Sequence, residues 1–159
     1  PNPWLREVLL MTTEMISGEE FLRVATFFLE ADDGSGAASV RVDQMLETVR
    51  DRETAIMLFV GNRGCIQIHS GPIRTLRPMG PWQNVMDPGF NLHLRRDKVA
   101  ELWAVEKPTQ RGAAVSVEAF DAEGGLIFQC FGVGKDGNDH RPAWREIVDA
   151  LPSAEEVTA

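Results

Sequence analysis

The chain has 159 residues, enough for one domain with a sizeable core and too few for two ordinary ones. Apolar residues make up 43% and charged residues 25%, which excludes a disordered tail. A formal net charge of −8 argues against a nucleic-acid binder, because phosphates need clustered Lys and Arg.

The first predicted element is an amphipathic helix over Trp4–Ile16, with Trp4, Leu5, Val8, Leu9, Met11, Met15 and Ile16 near a 3.6-residue repeat and Ser17-Gly18 as its stop. Phe21–Leu29 reads as a strand on Val24, Thr26, Phe27 and Phe28, although Glu19-Glu20 would also suit a helix start. A solvated loop, Asp32-Asp33-Gly34-Ser35-Gly36, leads to a helix over Val42–Arg52. There Met45, Leu46 and Val49 turn inward and Asp43 occupies the first turn, where a negative charge suits the helix dipole.

Ala55 to Leu94 is expected to form four short strands. The apolar run Ala55–Val60 reads as a strand buried on both faces, and Gly61-Asn62-Arg63-Gly64 as a turn. Cys65–His69 alternates, so His69 travels with Gln67 on one face. Gly71-Pro72 breaks that strand and Ile73–Leu76 resumes it. Pro78, Gly80, Pro81 and the Asp87-Pro88-Gly89 turn bracket a further segment, and Phe90–Arg95 closes the set.

Beyond it, Asp97 opens a single turn through Ala100. Strands are expected at Glu101–Lys107 and Ala113–Phe120, the latter setting Val115, Val117 and Ala119 against Ser116, Glu118 and Phe120. Asp121–Gly125 is a hairpin connection to Leu126–Phe131, and Gly132–Asp139 a polar loop. A last helix covers Pro142–Leu151, with Trp144, Ile147, Val148 and Leu151 on one face. The sum is an α+β fold, a large antiparallel sheet flanked by helices, with residues 1–159 as one domain.

No CxxC, HExxH, GxSxG or phosphate loop occurs. Cys65 and Cys130 lack metal-type spacing and read as buried free thiols, in keeping with a reducing cytoplasm. No apolar run approaches the ~18 residues of a membrane span and no signal peptide is visible, so no membrane contact is expected. The first residues, Pro-Asn-Pro rather than Met, suggest a trimmed chain or one part of a longer protein. His69 and His93 fall inside strands, where a neutral imidazole suits a metal or a haem iron and, more often, a hydrogen-bonded structural role. His140 reads as an exposed loop residue. Met57, Phe59 and Phe131 are residues of a kind more often found in a core than in a cofactor box. Arg74, Arg77, Arg95, Arg96 and Lys98 form a basic patch; Arg95 and Arg96 beside His93 read as a solvated edge, and their guanidinium groups also suit carboxylates. Residue chemistry alone reaches a domain that takes a planar or anionic ligand.

Several runs carry more. GNRGCIQIHSGPIRTL, then MGPW and VMDPGFNLHLR, then LWAVEKPT, the VEAFDAEGGLIFQCFG hairpin and the AWREIVDAL helix resemble, in order, the haemin-degrading and haem-utilisation family of HemS/ChuX type. The likeness extends over roughly Ile56–Leu151 and is to the C-terminal repeat of two-repeat members. Single-repeat relatives pair as dimers. The resemblance implies a cytoplasmic protein that binds b-type haem for uptake, trafficking or degradation in iron acquisition. It also implies a homodimer or second repeat as partner, and a haem-degrading enzyme where the chain is a carrier. It places haem-lining positions at Met57, Lys107, Gln129 and Phe131, the iron ligand of single-repeat relatives at His93, and Arg95 beside the carboxylates. Two-repeat members carry an iron-ligating histidine in the helix around Leu9–Met11. Here that stretch is Leu9-Leu10-Met11-Thr12, which leaves Met11 as a weak substitute. A basic residue expected after the Phe131-Gly132 pair is replaced by Val133-Gly134, with Lys135 next. These departures keep open a rival role, a structural or dimerisation repeat without haem. No catalytic residue is assigned.

Overall fold

The computed structural model describes residues 25–27, 36–109, 112–135 and 138–152. The helix expected over Trp4–Ile16, Met11 within it, and most of Phe21–Leu29 lie outside the described residues; of that strand, Ala25–Phe27 is observed as β1. Helix α1 spans Ala37–Asp51. It starts five residues before the expected Val42, because Gly36 adopts a left-handed turn (φ 80°) and the small Ala37 and Ala38 pack into the core. Asp43 therefore lies beyond the first turn. Instead of serving the helix dipole, it accepts hydrogen bonds from Arg96 Nη1 (2.6 Å) and Gln83 Nε2 (3.0 Å).

The strands that follow are β2 (Ile56–Gly61), β3 (Ile66–Gly71), β4 (Leu76–Met79), β5 (Trp82–Asp87), β6 (Phe90–Arg95), β7 (Glu101–Lys107), β8 (Ala114–Phe120) and β9 (Leu126–Gly132). A single 3₁₀ turn, Arg96–Lys98, precedes β7. The stretch expected to hold four strands thus holds five. Ile73 belongs to a connection, and Pro78 and Gly80-Pro81, taken as brackets, lie in and after β4 as part of a hairpin with β5. Pro78 is tolerated because β4 is an edge strand.

All pairings are antiparallel. One six-stranded sheet runs β1-β7-β8-β9-β2-β3, and β4-β5-β6 form a second sheet of three. Within the polar segment Gly132–Asp139, expected as a loop, β10 (Gly134–Lys135) pairs with β11 (Asn138–Asp139) as a short ribbon. Helix α2 (Arg141–Asp149) closes the described chain, with Pro142 in its first turn and Trp144, Ile147 and Val148 buried. The Trp144 indole N–H donates to the Val115 carbonyl, and it sits so close to β9 that a Cβ on Gly132 would lie 2.5 Å from the Trp144 Cβ.

Both helices pack on one face of the large sheet. Leu58, Val117, Ala119, Phe128, Cys130, Leu102 and Ala104 meet Val42, Met45, Leu46, Val49, Trp144 and Ile147 there in a single core. The small sheet joins the same core through Val85 and Leu94. His69 seals the junction: its ring stacks on Phe90 at 3.9 Å, nearly parallel, and its buried Nε2 has no partner. It is a structural contact between sheets. β2 has neighbours on both edges, yet its faces differ. Ile56 and Leu58 are buried, whereas Met57 and Phe59 are half-buried, which corrects the expectation of burial on both faces.

Two further expectations change. Cys65 is exposed at the β2–β3 turn, and only Cys130 is buried. His140 is half-buried rather than exposed, and its Nδ1 accepts a hydrogen bond from the Ala55 amide (3.3 Å) at the entrance to β2. Among the described residues no helix is long and apolar enough to cross a membrane.

Candidate functional site

Strand alternation gives the large sheet a second face, turned away from the helices. The register places Trp103, Val105 and Lys107 of β7, Ser116 and Glu118 of β8, Gln129 and Phe131 of β9, and Met57 and Phe59 of β2 on it. In the middle strands this face carries a buried polar knot. Glu118 Oε1 accepts three hydrogen bonds: from Lys107 Nζ (3.1 Å), Ser116 Oγ (2.9 Å) and Gln129 Nε2 (2.9 Å). The Lys107 and Glu118 side chains are each 8% exposed, so this ion pair is shielded from water. Removing two charges from water is costly, and Ser116 and Gln129 offset part of that cost by donating to the same carboxylate oxygen that Lys107 pairs with. The knot is electrically neutral.

Apolar groups border it. Phe59 and Phe131 meet edge to face at 5.6 Å, and Met57 sits opposite Phe131 in the β2–β9 register. The Trp103 indole lies in register with Glu118 and donates to Glu101 Oε2 (2.9 Å). The face is thus an apolar platform with a few fixed polar groups at its centre, the composition of small-molecule sites.

Four of the residues expected at the site, Met57, Lys107, Gln129 and Phe131, come together on this platform. His93 and Arg95 do not join them. They lie on the outer face of the small sheet, which points away from the core on its own side. The Arg95 guanidinium is engaged twice by Asp97 (2.8 and 2.6 Å) and lies 5.1 Å over the Trp82 ring. That hydrogen bond holds the Asp97 carboxyl below its ordinary range and the Arg95 guanidinium above its own. A ligand carboxylate at Arg95 has to compete with Asp97.

His93 is exposed, and its Nδ1 is 2.7 Å from Asn84 Oδ1. Asn84 in turn donates its amide to the Arg77 carbonyl (2.8 Å), which fixes Oδ1 as the acceptor toward His93. Nδ1 therefore carries a proton and donates to Asn84, which leaves Nε2 as the ring nitrogen open to a metal. Among the described residues no group of three or more His, Cys, Asp and Glu could hold a bare metal ion.

Sequence reasoning missed Ser116 and Glu118. Their signal was a polar alternation, Ser116-x-Glu118, in a strand whose other face is fully apolar, opposite a strand ending in Lys107. The platform offers Met57, Phe59 and Phe131 as an apolar floor and Lys107 and Gln129 as polar groups to a flat, partly polar ligand. Its described residues include no imidazole.

The model of the haemin-degrading HemS.ChuX domain matches residues 22–151. The hemin transport protein HemS of Yersinia enterocolitica is 39% identical over 108 residues, covering 68% of this chain and 31% of that protein. Among solved structures, apo-PhuS, a heme-binding protein from Pseudomonas aeruginosa, is 43% identical with a TM-score of 0.67, covering 78% of this chain and 35% of the other. The heme-degrading enzyme ChuS of Escherichia coli O157:H7 is 37% identical with a TM-score of 0.67, covering 71% and 34%. The chain therefore spans about a third of the length of these relatives.

Proposed function

Because the chain belongs to the haemin-degrading HemS/ChuX domain family, we propose that it binds b-type haem on the outer face of its six-stranded sheet, in the uptake, trafficking or degradation of haem for iron acquisition. The observation that carries this reading is the buried Lys107–Glu118–Gln129 knot framed by Met57, Phe59 and Phe131. A sheet face with no ligand to take gains little from a shielded ion pair, since apolar replacements are commonly as stable. Met57 and Phe131 pack against the macrocycle, and Lys107 and Gln129 meet its polar edge. Any oxidative chemistry belongs to the haem and its reductant; the chain's residues bind, orient and shield it.

His93 supplies an iron ligand in this reading, with Arg95 released from Asp97 to a propionate and Met11 as the weaker alternative ligand. Within one chain the platform and His93 face different ways, so the site is completed across a homodimer or by a second repeat. The unpaired outer edge of β3, with Ile66 39% and Ile68 56% exposed, supports such an association. A cytoplasmic location and hand-over to a haem-degrading enzyme belong to the same proposal.

Haemin titration followed in the Soret region tests it. Binding in the micromolar range is expected, about −8 kcal/mol, weakened at least about tenfold by Phe131→Ala or His93→Ala. Mixing His93→Ala with Lys107→Ala chains restores part of the signal if the two residues act across an interface. No binding at high micromolar haemin would assign the chain to the rival role of a structural or dimerisation repeat.

A further inference from the structure

We propose that Glu118 decides whether this face accepts a ligand carboxylate: the carboxylate reaches Lys107 only when Glu118 takes up a proton, so binding a porphyrin through its propionates is coupled to uptake of one proton. The inference rests on the reading of the platform as a porphyrin site and deepens it.

Three donors converge on one oxygen of Glu118, the arrangement of an ionised, acceptor-only carboxylate. Lys107 is its only titratable partner among the described residues. Facing groups on the neighbouring strands are Gln129 and Phe131 on β9, Met57 and Phe59 on β2, and Trp103 on β7, whose indole is held by Glu101. Glu101 adds a further negative charge on the same side, and the described strands bring no second cation to the knot. A propionate arriving at Lys107 would set two carboxylates against one ammonium in a place shielded from water. Like charges so placed do not both stay ionised. The balance is simple. Glu118 gains a proton from solvent and keeps Ser116 and Gln129 as donors to its carbonyl oxygen, while the Lys107 ammonium passes to the propionate. The knot keeps its neutrality, and Lys107 is withheld from anions that arrive without a proton.

Metal-free protoporphyrin and its dimethyl ester separate this from iron ligation. Calorimetric titration in two buffers of different ionisation enthalpy counts protons, above about pH 6.5 where free propionates stay ionised. The expected result is one proton taken up per diacid and none per ester, with diacid affinity rising about tenfold for each unit fall in pH. Glu118→Gln should bind the diacid at least about tenfold more tightly with no proton uptake, and Lys107→Met should abolish the difference between diacid and ester. Because proton counting uses the unmodified chain, the test does not depend on either variant folding. Diacid binding without proton uptake, or with pH-independent affinity, overturns the role of Glu118 and leaves the porphyrin site standing. Failure of both porphyrins to bind removes the site itself and this inference with it.

Discussion

Replacing Glu118 by Leu leaves the Lys107 ammonium, 8% exposed, without its counter-charge. Stranding a buried charge in this way costs about 3–4 kcal/mol. Lys107→Met is milder. The Glu118 carboxylate still receives Ser116 and Gln129, so the loss is about 2 kcal/mol. In the double variant both charges are gone. Ser116 and Gln129 then lose an acceptor at about 1 kcal/mol each, and the cost is about 2 kcal/mol in total. The two singles therefore sum to about 5–6 kcal/mol against about 2 kcal/mol for the pair, a coupling of about 3 kcal/mol or more. Urea unfolding of the four proteins, with unchanged m-values, measures the cycle. Additivity within about 0.5 kcal/mol would mean that the two side chains are independently solvated and that the knot is not a unit.

Gly132→Ala should lower stability by about 1–3 kcal/mol in the same assay, because the new Cβ would lie 2.5 Å from the Trp144 Cβ. A thiol reagent applied to the native protein should label Cys65 and spare Cys130, whose thiol burial pushes far up, while both react in urea. The side-chain hydrogen bond from Arg141 holds the Asp139 carboxyl down at about 2. A depressed carboxylate stabilises above its ordinary range, so that contribution should persist to mildly acidic pH and disappear as pH falls toward about 2, which carboxyl NMR titration reads directly. Asn84→Ala should weaken haem binding by about 10–100-fold, read by haemin titration, because the His93 ring loses the partner that orients it.

What the sequence revealed tracks how local each determinant is. The β7–β8–β9 meander was legible almost to the residue because its turns are written locally. Asp121 Oδ1 accepts from the amides of Glu123 and Gly125, the chemistry that an Asp-x-x-Gly-Gly turn announces. The start of α1 was not, since Gly36 and two alanines give no capping side chain to read and the packing that holds them is tertiary. β4 was hidden by Pro78 and Gly80, residues that usually end strands and are harmless at a sheet edge. At the site, alternation in β8 and β9 already put Glu118 and Gln129 on definite faces, but their meeting with Lys107 depends on register between strands. The partners of His69, His93 and His140 are likewise remote or cross-strand: Phe90, Asn84 and Ala55. No periodicity could name them.

The order of strands also has a consequence in time. β2–β3 is a hairpin and β7–β8–β9 a meander, each able to form early from neighbouring residues. They join only along the β2–β9 seam, where Ile56, Met57, Leu58 and Phe59 pair with Gly132, Phe131, Cys130 and Gln129, across the whole excursion of the small sheet. Closing so long a loop is slow relative to forming a hairpin, so this seam is expected to zip late. The platform straddles it. Partly folded chains would hold Lys107 and Glu118 without Met57, and a porphyrin that binds only the closed seam would draw the last folding step forward by mass action. Ligand capture would then mark the moment at which the chain finishes folding.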